Sequence, residues 1–171
     1  AELLQQLGGS GFMVEIGGEV RTAGTHADGS PWMIGIEQPT MDRRVLQSII
    51  RLNDASLATS GDYRKFTIVD GKRYSHTIDP RTGWPADHAL ASVSVVAEDC
   101  MTADAWATAF MVLGPEEGSR LAGEQGVKAL FMVRDGNEIT MIPYADFPQP
   151  QGAGAAAPLV KPTPAQEGES P

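Results

Sequence analysis

The sequence predicts an α+β fold, an antiparallel or mixed sheet with packed helices, and three observations carry that prediction. Apolar residues alternating with polar ones fill most of the first half of the chain, the period a half-buried strand requires. Asp-Gly pairs at 70–71 and 135–136 stand between such stretches and mark favoured two-residue hairpin turns. A helical period enters only late, over residues 101–113.

Taken in order, "AELLQQLGGSG" reads as the last turns of a helix stopping at Gly8 and Gly9, so the chain is expected to start inside an element. "FMVEIGGEVRTAG" reads as one strand carrying a bulge, or a close backbone approach, at Gly17 and Gly18. "PWMIGIEQP" is a short apolar strand bracketed by prolines, and "RRVLQSIIRLNDASLATSG" is two strands around Asn53 and Asp54. "RKFTIVDGKRYSHTID" is a hairpin turning at Asp70 and Gly71, and "LASVSVVA" is a half-buried strand. "EDCMTADAWATAFMVLGPEE" becomes a helix over 101–113, with Asp99 or Thr102 as N-cap and Gly114-Pro115 as its stop. A second short helix over "PEEGSRLAGEQG" leads to a hairpin, "KALFMVRDGNEITMIPY", turning at Asp135 and Gly136. From Phe147 onward the chain is rich in Pro, Ala, Gly and Gln, cannot offset its ordering entropy by burial, and reads as a disordered tail over 147–171.

Composition bounds the function. A chain of 171 residues, 42% hydrophobic, holds one domain with a core. A formal net charge of −9 argues against a nucleic-acid binder, which needs clustered Lys and Arg. Cys100, the single cysteine, forms no internal disulfide and does not distinguish one redox compartment from another. No apolar run approaches the roughly 18 residues of a spanning helix, and these residues show no charged start followed by the apolar stretch of a signal peptide; if the protein is exported, the signal is expected to have been removed from this chain.

Apolar residues nearly encircle the helix over 101–113, which predicts a buried helix. Trp106, Phe110 and Leu113 share one face; Asp104 and Thr108, four apart, share the other, flanked by Met101 and Met111. A buried carboxylate needs a cation or hydrogen-bond donors. Carboxylate and hydroxyl on adjacent turns are hard oxygen donors that suit Mg²⁺. Equally, Asp104 can pair with an arginine and Thr108 can bond back to its own helix, and on spacing alone that is the commoner outcome.

"YSHTIDPRTG", residues 74–83, is first of all good turn chemistry: proline sets φ, glycine accepts positive φ, and Asp79 and Thr82 can bond nearby backbone. His76 is not needed for that turn, and is either a satisfied sheet residue or a base. His26 and His88 lie in loops with no comparable pattern.

"ATSGDYRKF", "DGKRYSHTIDPRTGWP" and "MTADAWATAFMVLG", preceded by "VEIGGEVRTAG" and "PWMIGIEQP", closely resemble in order and spacing the C-terminal half of the FAD:protein FMN transferases, the ApbE family. The resemblance covers residues 1–146 and implies a flavin transferase domain lacking the family's N-terminal half, with its FAD-binding aromatic and its Gly- and Ala-containing loop. It implies Mg²⁺-dependent transfer of FMN from FAD to a Thr or Ser hydroxyl of an acceptor flavoprotein, releasing AMP. FAD hydrolysis, an FAD carrier and an inactive interaction domain are the alternatives.

By the same resemblance Asp104 and Thr108 are Mg²⁺ ligands, and His76 is the base or orients the acceptor. Ile78, through its backbone, and Thr82 contact the flavin; Asp79 holds the imidazole or shapes the flavin loop. Ser60 and Asp62 form a second wall and position neighbouring loops, and Arg81 meets phosphate or solvent. Ala107 stands where some members carry an acidic residue, so the metal site is expected either to be weaker by one ligand or to leave that place to water. A periplasmic or outer-face location, a lipidated N-terminus absent here, and homo-oligomerisation through exposed core are further expectations.

Overall fold

The computed structural model describes residues 1–40, 45–136 and 138–151. In chain order the elements are α1 (Glu2–Gln6), β1 (Phe12–Ile16), β2 (Glu19–Ala23), β3 (Trp32–Glu37), β4 (Leu46–Leu52), β5 (Ser56–Gly61), β6 (Phe66–Val69), β7 (Lys72–Ser75), β8 (Ile78–Asp79), β9 (Trp84–Pro85), β10 (Leu90–Ala97), α2 (Cys100–Gln125), β11 (Lys128–Asp135) and β12 (Glu138–Tyr144). The main sheet runs β1-β2-β5-β10-β11-β12, antiparallel throughout, and β3-β4, β6-β7 and β8-β9 form separate two-stranded ribbons. The α+β class with an antiparallel sheet and a packed helix is the one the sequence predicts.

The sheet is covered on both faces. Alternation sends Leu57, Val96, Leu130 and Met132 to one side, where they pack with Ile34, Ile36, Ile50 and Leu52 of the β3-β4 ribbon. Their neighbours Ala58, Val95, Ala129 and Phe131 face the other side and meet Ala103, Ala107, Phe110 and Met111 of α2. The strand at 90–97 is therefore buried along nearly its whole length rather than half-buried, because β10 is central and has a layer on each side. Its polar Ser94 is accommodated by pairing with Thr59 across the strands, Oγ to Oγ1, at 2.8 Å.

Several local expectations need correction. Gly17 and Gly18, at φ 70° and 111°, are not a bulge but the two-residue loop of the β1-β2 hairpin, since Ile16 pairs with Glu19. The last hairpin turns one residue later than expected: Asp135 pairs with Glu138, so Gly136 is the first loop residue, and position 137 lies outside the described residues. The β6-β7 hairpin turns as predicted at Asp70 and Gly71, both with positive φ. Residues 43 and 44, read as the start of a strand, lie outside the described residues.

The two strands around Asn53 and Asp54 exist but belong to different layers. β4 pairs with β3, whereas β5 joins β2 and β10. Asp54 turns the chain between them at φ 49°, and its carboxylate accepts a hydrogen bond from the Gly24 backbone N–H at 2.8 Å. At the other end Phe147, read as the start of a disordered tail, is 2% exposed in the core, and Gln151 bridges the backbone of Ile49. The remainder of that tail, 152–171, lies outside the described residues. No described helix is long and apolar enough to cross a membrane.

Candidate functional site

Helix α2 joins the two helices expected from the sequence across a break at Gly114 (φ 81°, ψ −177°). Asp99 caps its start, accepting hydrogen bonds from the Thr102 backbone N–H at 2.7 Å and hydroxyl at 3.0 Å; these bonds hold its carboxyl below the usual carboxylate range. The buried stripe is built from small residues, Ala103, Ala107, Gly114, Gly118 and Ala122, with Phe110 and Met111, so the helix backbone lies close on the sheet. Met101 and Met111, expected to flank the polar face together, separate: Met101 is 79% exposed and Met111 is 1% exposed. The expectation of a buried Asp104 fails for the same reason. The stripe covers only part of the helix circumference and leaves the flank beside it open, so both Asp104 and Thr108 are exposed. Ala107 is fully buried against the sheet.

Beside this helix ends β5. Ala58 and Ser60 share the strand face turned toward α2, and the Ser60 hydroxyl meets the Thr108 hydroxyl at 3.2 Å. The chain then passes Gly61, whose glycine is required: a Cβ there would stand 2.6 Å from the ring of Tyr63, itself buried. Asp62 is gripped by two arginines. Arg134 of β11 donates to both carboxylate oxygens, at 2.8 and 2.6 Å, while Arg73 of β7 pairs with the carboxylate and donates to the Asp62 carbonyl at 2.9 Å. Asp62 therefore fastens the β6-β7 hairpin to the main sheet.

Asp62→Ala strips both guanidinium groups of their shared carboxylate. Because all three side chains are only partly buried, the loss of stability should fall below the roughly 3–5 kcal/mol of a fully buried broken pair, near 2 kcal/mol, read as a lower urea midpoint.

His76 follows β7 and is exposed; its Nδ1 lies 2.9 Å from the Lys65 carbonyl oxygen. A carbonyl only accepts, so the neutral ring carries its proton on Nδ1 and its lone pair on Nε2. The "DPRTG" loop is closed by Thr82 and Gly83 backbone N–H groups donating to the Asp79 carbonyl at 3.2 and 2.8 Å. The Asp79 carboxylate is taken up by Arg81, through backbone N–H (2.8 Å), Nε (3.0 Å) and Nη2 (2.9 Å), and Arg81 Nη1 reaches Glu117 of α2 at 2.9 Å. Of the two expected roles of Asp79, loop shaping matches its bonds; the partner of the imidazole is the Lys65 carbonyl. Arg81, expected at phosphate or solvent, is paired with two carboxylates. Thr82 donates to the Asp79 carbonyl and accepts from the Trp84 N–H, while Ile78 is 50% exposed.

The Arg81 side chain and then its backbone N–H hold the Asp79 carboxyl below its ordinary 3.8, and Asp79 in turn pushes Arg81 upward. A folded-state value below the unfolded one contributes stability that is complete above 3.8 and disappears as pH falls through the lower folded value. The gap in melting temperature between the wild type and Asp79→Asn should accordingly be greatest well above pH 3.8 and narrow as the pH falls below it, by differential scanning fluorimetry.

A cavity of about 290 Å³ opens between Arg73, Tyr74, Trp84, Pro85, Ala86 and Asp87, on the strands flanking the "DPRTG" loop and apart from Asp104 and Thr108. Sequence reasoning missed the Lys65 carbonyl, Arg73, Arg134 and Glu117, which act through backbone or across long separations and carry no local motif. The Ser60 hydroxyl of β5 and the Thr108 hydroxyl of α2 meet, and the exposed Asp104 stands one helical turn before Thr108, so three hard oxygen donors share one neighbourhood. They suit Mg²⁺ as a partial shell; among the described residues no three His, Cys, Asp or Glu side chains converge into a self-contained metal cage.

The chain is 48% identical over 134 residues to an FAD:protein FMN transferase of Vibrio cholerae, covering 78% of this chain and 40% of the relative. It is 39% identical over 137 residues to an FAD:protein FMN transferase of Escherichia coli K12, covering 80% and 39%. It thus spans about 40% of the length of the curated relatives it matches. Among solved structures, the apo form of the Pseudomonas stutzeri flavinyl transferase ApbE is similar with a TM-score of 0.72 at 43% identity, covering 84% of this chain and 44% of that one. The flavin transferase ApbE of Vibrio cholerae gives a TM-score of 0.74 at 44% identity, covering 85% and 46%. The sequence model of the ApbE family matches residues 1–131, most of the chain and all the stretches that carry the resemblance from "VEIGGEVRTAG" to "MTADAWATAFMVLG", and the chain belongs to the ApbE family.

Proposed function

We propose that this chain is the part of an FAD:protein FMN transferase that supplies the metal ligands and the base for Mg²⁺-dependent transfer of FMN from FAD to a Thr or Ser hydroxyl of an acceptor protein, with release of AMP. The observation that carries the reading is the contact of Ser60 with Thr108 at 3.2 Å, one helical turn from the exposed Asp104, which gathers hard oxygen donors where β5 meets α2. Held by Asp104 and Thr108, Mg²⁺ would neutralise charge developing on the pyrophosphate.

The protein's own groups do the remaining work. His76 Nε2 takes the proton of the acceptor hydroxyl, whose oxygen forms the new bond to the FMN phosphorus as the bond to the AMP phosphate breaks. Ile78 and Thr82 present the loop to the flavin, and Asp79 keeps that loop closed through Arg81. Asp62 and Ser60 hold the opposite wall. The proposed location, outside the cytoplasmic membrane, rests on the family resemblance alone.

Incubating the whole protein with FAD, Mg²⁺ and a threonine-bearing acceptor domain tests the reading. EDTA-sensitive AMP in step with flavin on the acceptor is expected. AMP with free FMN and an unmodified acceptor points to hydrolysis, and no AMP at all overturns the enzyme assignment.

A further inference from the structure

Helix α2 breaks where its own hydrogen bonding fails. The Met111 carbonyl would ordinarily accept from the N–H four residues on, but that residue is Pro115, which has none. His88 fills the gap: its Nε2 lies 2.8 Å from the Met111 oxygen, and its Nδ1 lies 3.2 Å from the backbone N of Leu90. A carbonyl on one side and an N–H on the other allow a single arrangement, with Nε2–H donating and Nδ1 accepting. The ring also lies against Gly114, where a Cβ would stand 2.9 Å from its Cδ2, so only glycine lets the imidazole seat at the break. Leu90 opens the central strand β10 and is fully buried, which makes the imidazole a bolt between the helix break and the middle of the sheet.

The two sides of that break carry different parts of the candidate site. Residues 100–113 bear Asp104 and Thr108; the segment after the break bears Glu117, which holds Arg81 and through it the Asp79 loop. We propose that His88 is a positioning residue: by replacing the hydrogen bond that Pro115 cannot make, it sets the placement of the Asp104–Thr108 pair relative to the "DPRTG" loop. The inference rests on the transferase reading for its functional consequence, and on the tie itself for its structural one. Misplacement of reacting groups by about 1 Å costs on the order of 10²-fold in rate, so a residue distant from the chemistry can govern it.

His88→Asn and His88→Gln in the whole protein separate the two bonds. Asparagine can still accept from Leu90 N–H but is too short to reach Met111; glutamine extends an amide N–H to about the position of Nε2. In His88→Asn, amide hydrogen exchange over residues 100–113 and 78–83 should accelerate roughly tenfold, the equivalent of one lost hydrogen bond, with His88→Gln close to wild type. The Mg²⁺ concentration for half-maximal transfer should rise roughly tenfold in His88→Asn and return in His88→Gln. A general loss of stability would lower the melting temperature without moving the Mg²⁺ requirement well below it. Unchanged exchange in His88→Asn, or faster exchange with an unchanged Mg²⁺ requirement, overturns the proposal. Should the wild type transfer FMN without Mg²⁺, the metal reading fails on that arm, while the exchange comparison still decides whether His88 ties the two segments together.

Discussion

Asp104→Ala in the whole protein is expected to lower Mg²⁺-dependent FMN transfer by roughly 10²–10³-fold while moving the melting temperature by less than about 2 °C. The large effect follows from charge. Of the three oxygen donors at this face only the carboxylate is anionic, and Mg²⁺ held through hydroxyls and water alone would be displaced at low concentration. The small effect on folding follows from exposure: Asp104 sits on the open face of α2, while the cap at Asp99 and the alanine stripe on the sheet remain intact. Thr108→Ala should be milder, because a water can take the place of a hydroxyl. Transfer rates measured across a Mg²⁺ titration check both, and an unchanged Mg²⁺ dependence in Asp104→Ala removes the metal assignment.

His76→Ala should lower turnover by roughly 10²–10⁴-fold while leaving FAD affinity within about threefold, since a base acts on the proton that moves in the transition state. The Lys65 carbonyl keeps the lone pair on Nε2, so the exposed ring is poised for that proton and makes no bond within the loop closure at Asp79. Single-turnover transfer rates alongside FAD binding by fluorescence quenching separate the two effects. Normal transfer rates in this variant would sink the role assigned to His76; weakened FAD binding at an unchanged rate would turn it into a binding residue.

Much of this fold is legible locally. The Asp70-Gly71 turn, the cap at Asp99 and the stop at Gly114-Pro115 each rest on chemistry confined to a few neighbouring residues. The errors share a cause too. Gly17-Gly18 could be read as a bulge or a loop because both need positive φ, and only the pairing of Ile16 with Glu19 decides. Phe147 reads as tail because its neighbours are polar or small, yet a single large aromatic can be fixed by a core built elsewhere. In the site, His76, Asp79, Asp104 and Thr108 are singled out through the family resemblance of the stretches that hold them, their spacing alone being a common accident, whereas Arg134, Glu117 and His88 carry no such mark.

What the sequence by itself determined is the class of fold, the turns and caps, and the residues able to carry chemistry, because propensity, period and side-chain chemistry are local properties. Only the tertiary structure decided which of those groups are occupied and by whom. Arg134 reaches Asp62 across a separation of 72 residues, Glu117 takes Arg81, and the Lys65 carbonyl sets the tautomer of His76. Tertiary packing likewise opened the Asp104 face, since whether an apolar helix is covered on one side or all round depends on how closely its alanines let it approach the sheet, and that is a property of two surfaces together.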